Sequence, residues 1–206
     1  MKIKTVVLGW LLLAGSAAAQ TTYTIDPGHS SAQFSVRHMM ISNVKGEFSK
    51  VSGTIEYDPD NLGASKIEAV IDVNSINTRE PKRDEHLKSA DFFDAAKFPT
   101  LTFKSKQIWK SGGKVQARGD LAMHGVAREI VLIIDGPTAE MKDPWGNLRR
   151  GASATTTLNR KDWGLVWNQA LETGGVLVGD EVAITLDIEA IRTAPAKPIG
   201  GSAAVR

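Results

Sequence analysis

The chain has no cysteine among its 206 residues, which excludes a disulfide framework, a thiolate zinc site, an iron–sulfur cluster and a thiol nucleophile. Neither sign of charge is in clear excess: 25 Lys and Arg stand against 23 Asp and Glu, a formal net charge of +2. Attraction to nucleic acid or to an anionic lipid surface therefore has no support from composition. No apolar run is long enough for a membrane-spanning helix, since Val6–Ala14 is about half of the roughly 20 residues required. A hydrophobic content of 42% with 23% charged residues is that of a globular domain and excludes a disordered or collagen-like chain.

What the first residues do contain is the pattern of a secretory signal. Lys2 and Lys4 precede the apolar run, and Ala17-Ala18-Ala19 offers a small-residue cleavage site with Gln20 as the first mature residue. Position 16 is Ser rather than Cys, so no lipid anchor is expected there, and no stable membrane insertion either. Without Lys2 and Lys4 the basic and acidic residues are equal at 23 each. The expected organisation is a signal over 1–19, one domain over 20–192, and a loose Pro- and Gly-containing tail over 193–206.

Period-2 alternation recurs through the mature chain and predicts strands. Phe34 and Val36 share one face, as do Val44, Gly46 and Phe48. The same holds for Ile55 with Tyr57, for Ile67 through Val73, for Leu101 with Phe103, for Val115 through Leu121, and for Val182 through Ile188. Ile130–Ile134 is apolar throughout and reads as covered on both faces. Gly151–Leu158 is rich in Ala, Ser and Thr, a strand with room beside it. Only residues 80–98 interrupt the pattern, with one or two short helices expected over an apolar opening and Asp91 capping the second. Strands of this number and spacing fit a barrel or a sandwich, and spacing alone does not choose between them.

The search for catalytic chemistry returns little. His29, His38, His86 and His124 form no metal-binding pair at short spacing, and no nucleophile elbow is present. Gly174-Gly175 and Gly179 lack the Lys and Ser/Thr of a phosphate loop and read as a turn. Arg83, Asp84 and His86 form either a catalytic group or a local charge network. Asp143-Pro144-Trp145-Gly146 and Asp162-Trp163-Gly164 read as turns with a packed indole, and Trp167 as core or cavity lining. There remains the apolar strand face. A closed sheet of eight strands has an interior that side chains fill or that holds one small ligand. The residues themselves leave both readings open.

Ordered motifs then bring a family into view. They include Asp26-Pro27-Gly28-His29-Ser30 with Phe34 and His38, Val44-Lys45-Gly46-Glu47-Phe48, and Ser75-Ile76-Asn77-Thr78. They continue with Arg83-Asp84-Glu85-His86-Leu87, Ser89-Ala90-Asp91-Phe92-Phe93-Asp94 and Phe98-Pro99. Gly119-Asp120-Leu121, His124-Gly125-Val126, Asp143-Pro144-Trp145-Gly146, Arg160-Lys161-Asp162-Trp163-Gly164 and Val178-Gly179-Asp180-Glu181-Val182 complete them. Over Tyr23–Arg192 the chain resembles the YceI-like family of polyisoprenoid-binding periplasmic proteins, departing mildly in having Tyr23 where the family often has Trp.

The resemblance implies an all-β, eight-stranded antiparallel lipocalin-like barrel with a short helical insertion. It implies a periplasmic binding protein for an isoprenoid or quinone-type lipid, often a homodimer, and does not imply an established catalytic activity; no nucleic-acid partner and no cofactor are expected. The expected cavity lining is Phe34, Val36, Phe48, Ile55, Ile71, Phe92, Phe93, Phe98, Phe103, Leu121 and Trp163. A polar mouth is expected from His29, His38, Arg83, Asp84 and His86. An enzyme acting on such a lipid and a ligand-free structural barrel are the alternatives.

Overall fold

A computed structural model describes residues 20–172 and 174–193. The expected signal over 1–19, and all but the first residue of the expected tail over 193–206, lie outside the described residues. The strands are β1 (Thr21–Ile25), β2 (Ser31–His38), β3 (Ser42–Phe48), β4 (Val51–Tyr57), β5 (Lys66–Asp72) and β6 (Ile76–Asn77). One helix, α1 (Pro81–Lys88), separates them from β7 (Thr100–Ser111), β8 (Lys114–Met123) and β9 (Val126–Asp135). After the two-residue β10 (Met141–Lys142) come β11 (Leu148–Asn159) and β12 (Val178–Arg192).

Three staves of the barrel are each broken into two strands. The chain from β1 to β2 runs along one edge of β12, with Ile25 opposite Ala190 and Ser31 opposite Asp187. A 3₁₀ turn at Pro27–His29 makes the break, capped by the Asp26 carboxylate accepting from the Gly28 amide. In the same way β3 and β4 form one stave, and β5 and β6 another. These three with β7, β8, β9, β11 and β12 make eight, and pairing of β11 with β12 closes the ring. Every pairing in it is antiparallel. The architecture is the expected closed barrel and not a sandwich.

Alternation along each strand sends one face inward. On β12 these are Val182, Ile184, Leu186, Ile188 and Ala190, facing Leu158, Thr156, Ala154, Ala152 and Arg150 of β11 in register. The turn joining β7 to β8 places Gly112 and Gly113 at φ of 58° and 78°, a left-handed pair that side chains with a Cβ resist. At Gly46 the demand is for space. A Cβ there would lie 2.7 Å from Thr78 Cγ2 and closer still to the Phe34 ring, so the missing side chain lets that ring lie against β3.

Three local expectations are corrected. Val131 and Ile133 on β9 are 36% and 47% exposed, because only the inward face of this strand, with Ile130, Leu132 and Ile134, packs against the core. Residues 89–98 form successive turns rather than a second helix. Asp91 accepts from His86 Nε2 at 2.8 Å, while the Ser89 hydroxyl takes the Asp91 amide. Trp145 is 81% exposed, its turn being held instead by the Asp143 carboxylate, which accepts the amides of Trp145 and Asn147. Trp163 is a packed indole, 2% exposed.

A charged clip joins β11 to the bend between β1 and β2. Arg149 donates to Asp26, Asp143 and Glu189, each at 2.7 Å. Hydrogen bonds from Arg149 and then His29 hold Asp26 at about 2. Burial pushes Asp143 upward, but Arg149 and Asn147 outweigh it and hold it at about 2 as well. Both carboxyls therefore lie below their ordinary value near 3.8, so their contribution is complete above pH 4 and lost as pH falls towards 2. Arg149→Met is expected to lower the urea midpoint at pH 7, because it leaves Asp26, Asp143 and Glu189 without their shared cation. The gap to the parent protein should narrow between pH 4 and 2, as read from urea midpoints across that range. Gly46→Ala should push the Phe34 ring inward and cost about 1–3 kcal/mol by the same measurement.

Candidate functional site

The inward faces do not meet. Between them runs a cavity of about 290 Å³, lined from every stave. Along β11 its lining extends from Arg150 to Leu158, about 26 Å at 3.3 Å per residue. Space survives because small side chains face large ones. Ala69 stands opposite Phe103, and Ala152, Ala154 and Thr156 stand opposite Ile188, Leu186 and Ile184. Aromatic contacts build one end of the wall: Phe34 to Phe48 at 5.8 Å, then Phe48 edge-on to Phe93 at 5.6 Å.

Of the eleven residues expected in the lining, nine are there: Phe34, Val36, Phe48, Ile55, Ile71, Phe92, Phe93, Phe103 and Leu121. Phe98 and Trp163 are not. Phe98 packs edge-on against His124 at 5.1 Å and covers Gly125. Trp163 lies in the 3₁₀ turn after β11, where its Nε1 donates to the Leu121 carbonyl at 3.0 Å. It belongs to the same buried core cluster as Leu121. Trp167 is also outside the lining, packed on His86 and Phe92 at 4.8 and 5.2 Å.

The five residues expected at a polar mouth are dispersed, and none is in the lining. His29 sits at the bend between β1 and β2 with its Nδ1 2.9 Å from Asp26. With Glu189 these two could converge on a cation, yet the guanidinium of Arg149 already donates to both carboxylates. His38 ends β2 opposite Val178 and Ser42. Asp84 accepts from the amide of Thr78 at 2.8 Å and from its hydroxyl at 2.5 Å, and Arg83 donates to the Thr78 hydroxyl and carbonyl, both at 2.8 Å. His86 meets Asp91. These groups tie the short helix to β6 and to the turns after it. The helix buries none of its own residues, and of its side chains Leu87 reaches the cavity.

Sequence reasoning missed the two charged residues that do line the cavity, Arg150 and Arg160. They differ in kind. Arg160 is 4% exposed and stands at the helix end of the barrel. It donates to the carbonyls of Gly179, Leu165, Trp167 and Val178 and to Asp180, so its five N–H groups are committed. Burial lowers its pKa, with Asp180 opposing. It is a strut.

Arg150 stands at the opposite end, with Tyr23, Tyr57, Leu62, Ser65 and Pro137. Its Nε donates to the Tyr23 hydroxyl at 2.9 Å and one Nη1 hydrogen to the Thr138 carbonyl at 2.6 Å. Its guanidinium lies over the rings of Tyr57 and Tyr23, at 5.3 and 5.8 Å. The Tyr23 hydroxyl donates in turn to Glu140 at 2.8 Å, and Glu140 also accepts from Arg192. Burial holds the Tyr23 phenol above its ordinary value of 10, with Arg150 pulling it down and Glu140 pushing it up. Extending the alternation of β11 back past Gly151 would have placed Arg150 inward, on the parity of Ala152 and Ala154.

Comparison with known proteins agrees with this architecture. A UPF0312 protein of Vibrio cholerae is 40% identical over 152 residues, covering 72% of this chain and 80% of the relative. A UPF0312 protein of Staphylococcus aureus is 36% identical over 169 residues, covering 82% and 96%. Among solved structures, the Campylobacter jejuni YceI protein superposes with a TM-score of 0.64 at 31% identity, over 77% of this chain and 90% of the other. BcnA of Burkholderia cenocepacia gives 0.68 at 22% identity, over 80% and 98%. A polyisoprenoid binding domain from Saccharophagus degradans gives 0.61 at 17% identity, over 83% and 98%, a likeness of fold. The YceI-like domain profile matches residues 23–190, and the chain belongs to that family.

Proposed function

We propose that the protein binds a long isoprenoid or similar amphiphilic lipid, of polyprenyl or quinone type, inside the barrel, to transport, store or sequester it in the periplasm. The observation that carries this reading is the apolar cavity along the barrel, whose wall is made by aliphatic and aromatic side chains from every stave. Each CH₂ moved from water into such a space is worth about 0.8 kcal/mol, so a long chain needs little directional chemistry to be held. The periplasmic location rests on the signal pattern of residues 1–19 and on the family resemblance. The Saccharophagus degradans neighbour, described as a polyisoprenoid binding domain, supports the ligand class.

Binding is preferred to turnover because of where the polar groups stand. Arg83, Asp84 and His86 are engaged with Thr78 and Asp91, outside the lining. The two charged side chains in the lining are arginines, a poor side chain for proton transfer.

Protein purified from its native host is expected to yield a prenyl-type lipid on organic extraction, detected by mass spectrometry. Protein that is empty on extraction and takes up no added prenyl alcohol would overturn the proposal. Ala154→Phe fills the middle of the cavity opposite Leu186 and should reduce bound lipid at least tenfold. It should cost about 1–3 kcal/mol from overpacking, with the circular dichroism spectrum unchanged.

A further inference from the structure

We infer that the cavity is polarised, and that Arg150 with Tyr57 receives an anionic phosphate or carboxylate headgroup at the barrel end opposite the helix. This rests on the lipid-cavity reading and adds a headgroup class and a direction to it. Of the two charged side chains in the lining, Arg160 has every N–H committed. Arg150 uses one hydrogen of Nε and one of Nη1. Among the described residues no acceptor takes its remaining three, and none takes the Tyr57 hydroxyl proton. A guanidinium with free N–H groups on a planar edge is suited to two oxygens of one phosphate or carboxylate.

Charge and rigidity point the same way. Arg150 and Arg192 share a single carboxylate through the Tyr23–Glu140 chain, and among the described residues no carboxylate pairs directly with Arg150. The other carboxylates of that end are engaged elsewhere. Glu56 pairs with Lys66, Asp143 with Arg149, and Asp58 accepts the amides of Asp60 and Asn61. Two phenol rings lie against the guanidinium and fix it, and of the two only the Tyr23 hydroxyl takes one of its donors. An apolar tail running from this end would lie along Ile25, Ile55, Ile188 and Ala152 towards Phe34 and Phe93.

The test compares geranylgeranyl phosphate with geranylgeraniol by titration of the full chain, since the two share a tail and differ at the head. The parent protein is expected to prefer the phosphate at least tenfold, a factor equivalent to about 1.4 kcal/mol. Arg150→Met should collapse that ratio to within about twofold, and Tyr57→Phe should reduce it about threefold. Arg118→Met, which removes the same charge from the outer face beside Trp109, should leave the ratio intact.

If Arg150→Met fails to fold, Tyr57→Phe decides, because it removes only a hydroxyl. Equal binding of phosphate and alcohol, or a preference that survives in the folded variants, overturns the headgroup assignment while the lipid cavity stands. Inorganic phosphate binding as tightly as the prenyl phosphate would assign Arg150 to a free anion and also overturns it. Failure of both prenyl ligands to bind defeats the cavity reading itself.

Discussion

Hydrogen bonding along both edges of β12 closes the sheet, and the interior depends on that closure. One edge pairs with β11 from Glu181 to Ile191, and the other with β2 and then β1. A ring of eight staves fixes a diameter at which the inner side chains nearly fill the space. A sheet left open here would present its apolar face and an unpaired edge to water. The Arg149 clip reinforces the same place, since it ties β11 to the bend between β1 and β2 and to Glu189 of β12.

Given that diameter, the vacant volume is decided by a few small residues. Alanines and a threonine on β11 stand where leucines would fill the centre. Gly46 lets Phe34 lie against the wall, and Gly119 does the same for Phe103. The apolar wall gives affinity without direction, while the two arginines mark the ends in different ways. One is satisfied by backbone carbonyls, and the other keeps donors in reserve.

Much of this was legible in the sequence because a barrel strand with one wet and one dry face writes its orientation in alternation. Phe34, Ile55, Phe103 and Leu121 were placed inward by parity alone, and the small side chains of Gly151–Leu158 already read as room. The misses have physical causes. Trp163 and Phe98 sit in turns, where no period relates a residue to the barrel axis. Ile130–Ile134 looked covered on both faces because a run of apolar residues does not say whether a second layer packs outside. The polar residues of the helix were expected at a mouth because they cluster in sequence, yet their hydrogen bonds are spent on Thr78 and Asp91. Arg150 was missed for the opposite reason: a charged residue at a strand's start reads as its solvent end, and its partners Tyr23 and Tyr57 are far away in the chain.

The meeting of β1 with β12 also governs how the chain folds. Thr24 and Thr193 touch across 169 residues of separation, while most other neighbouring staves follow one another directly in the chain. Hairpins can therefore zip as they emerge, but the final stitch waits for the last segment to be delivered. Loops of that span are slow to close. During the wait the greasy lining faces outward, and the unclosed chain has that interval in which to need a chaperone's protection.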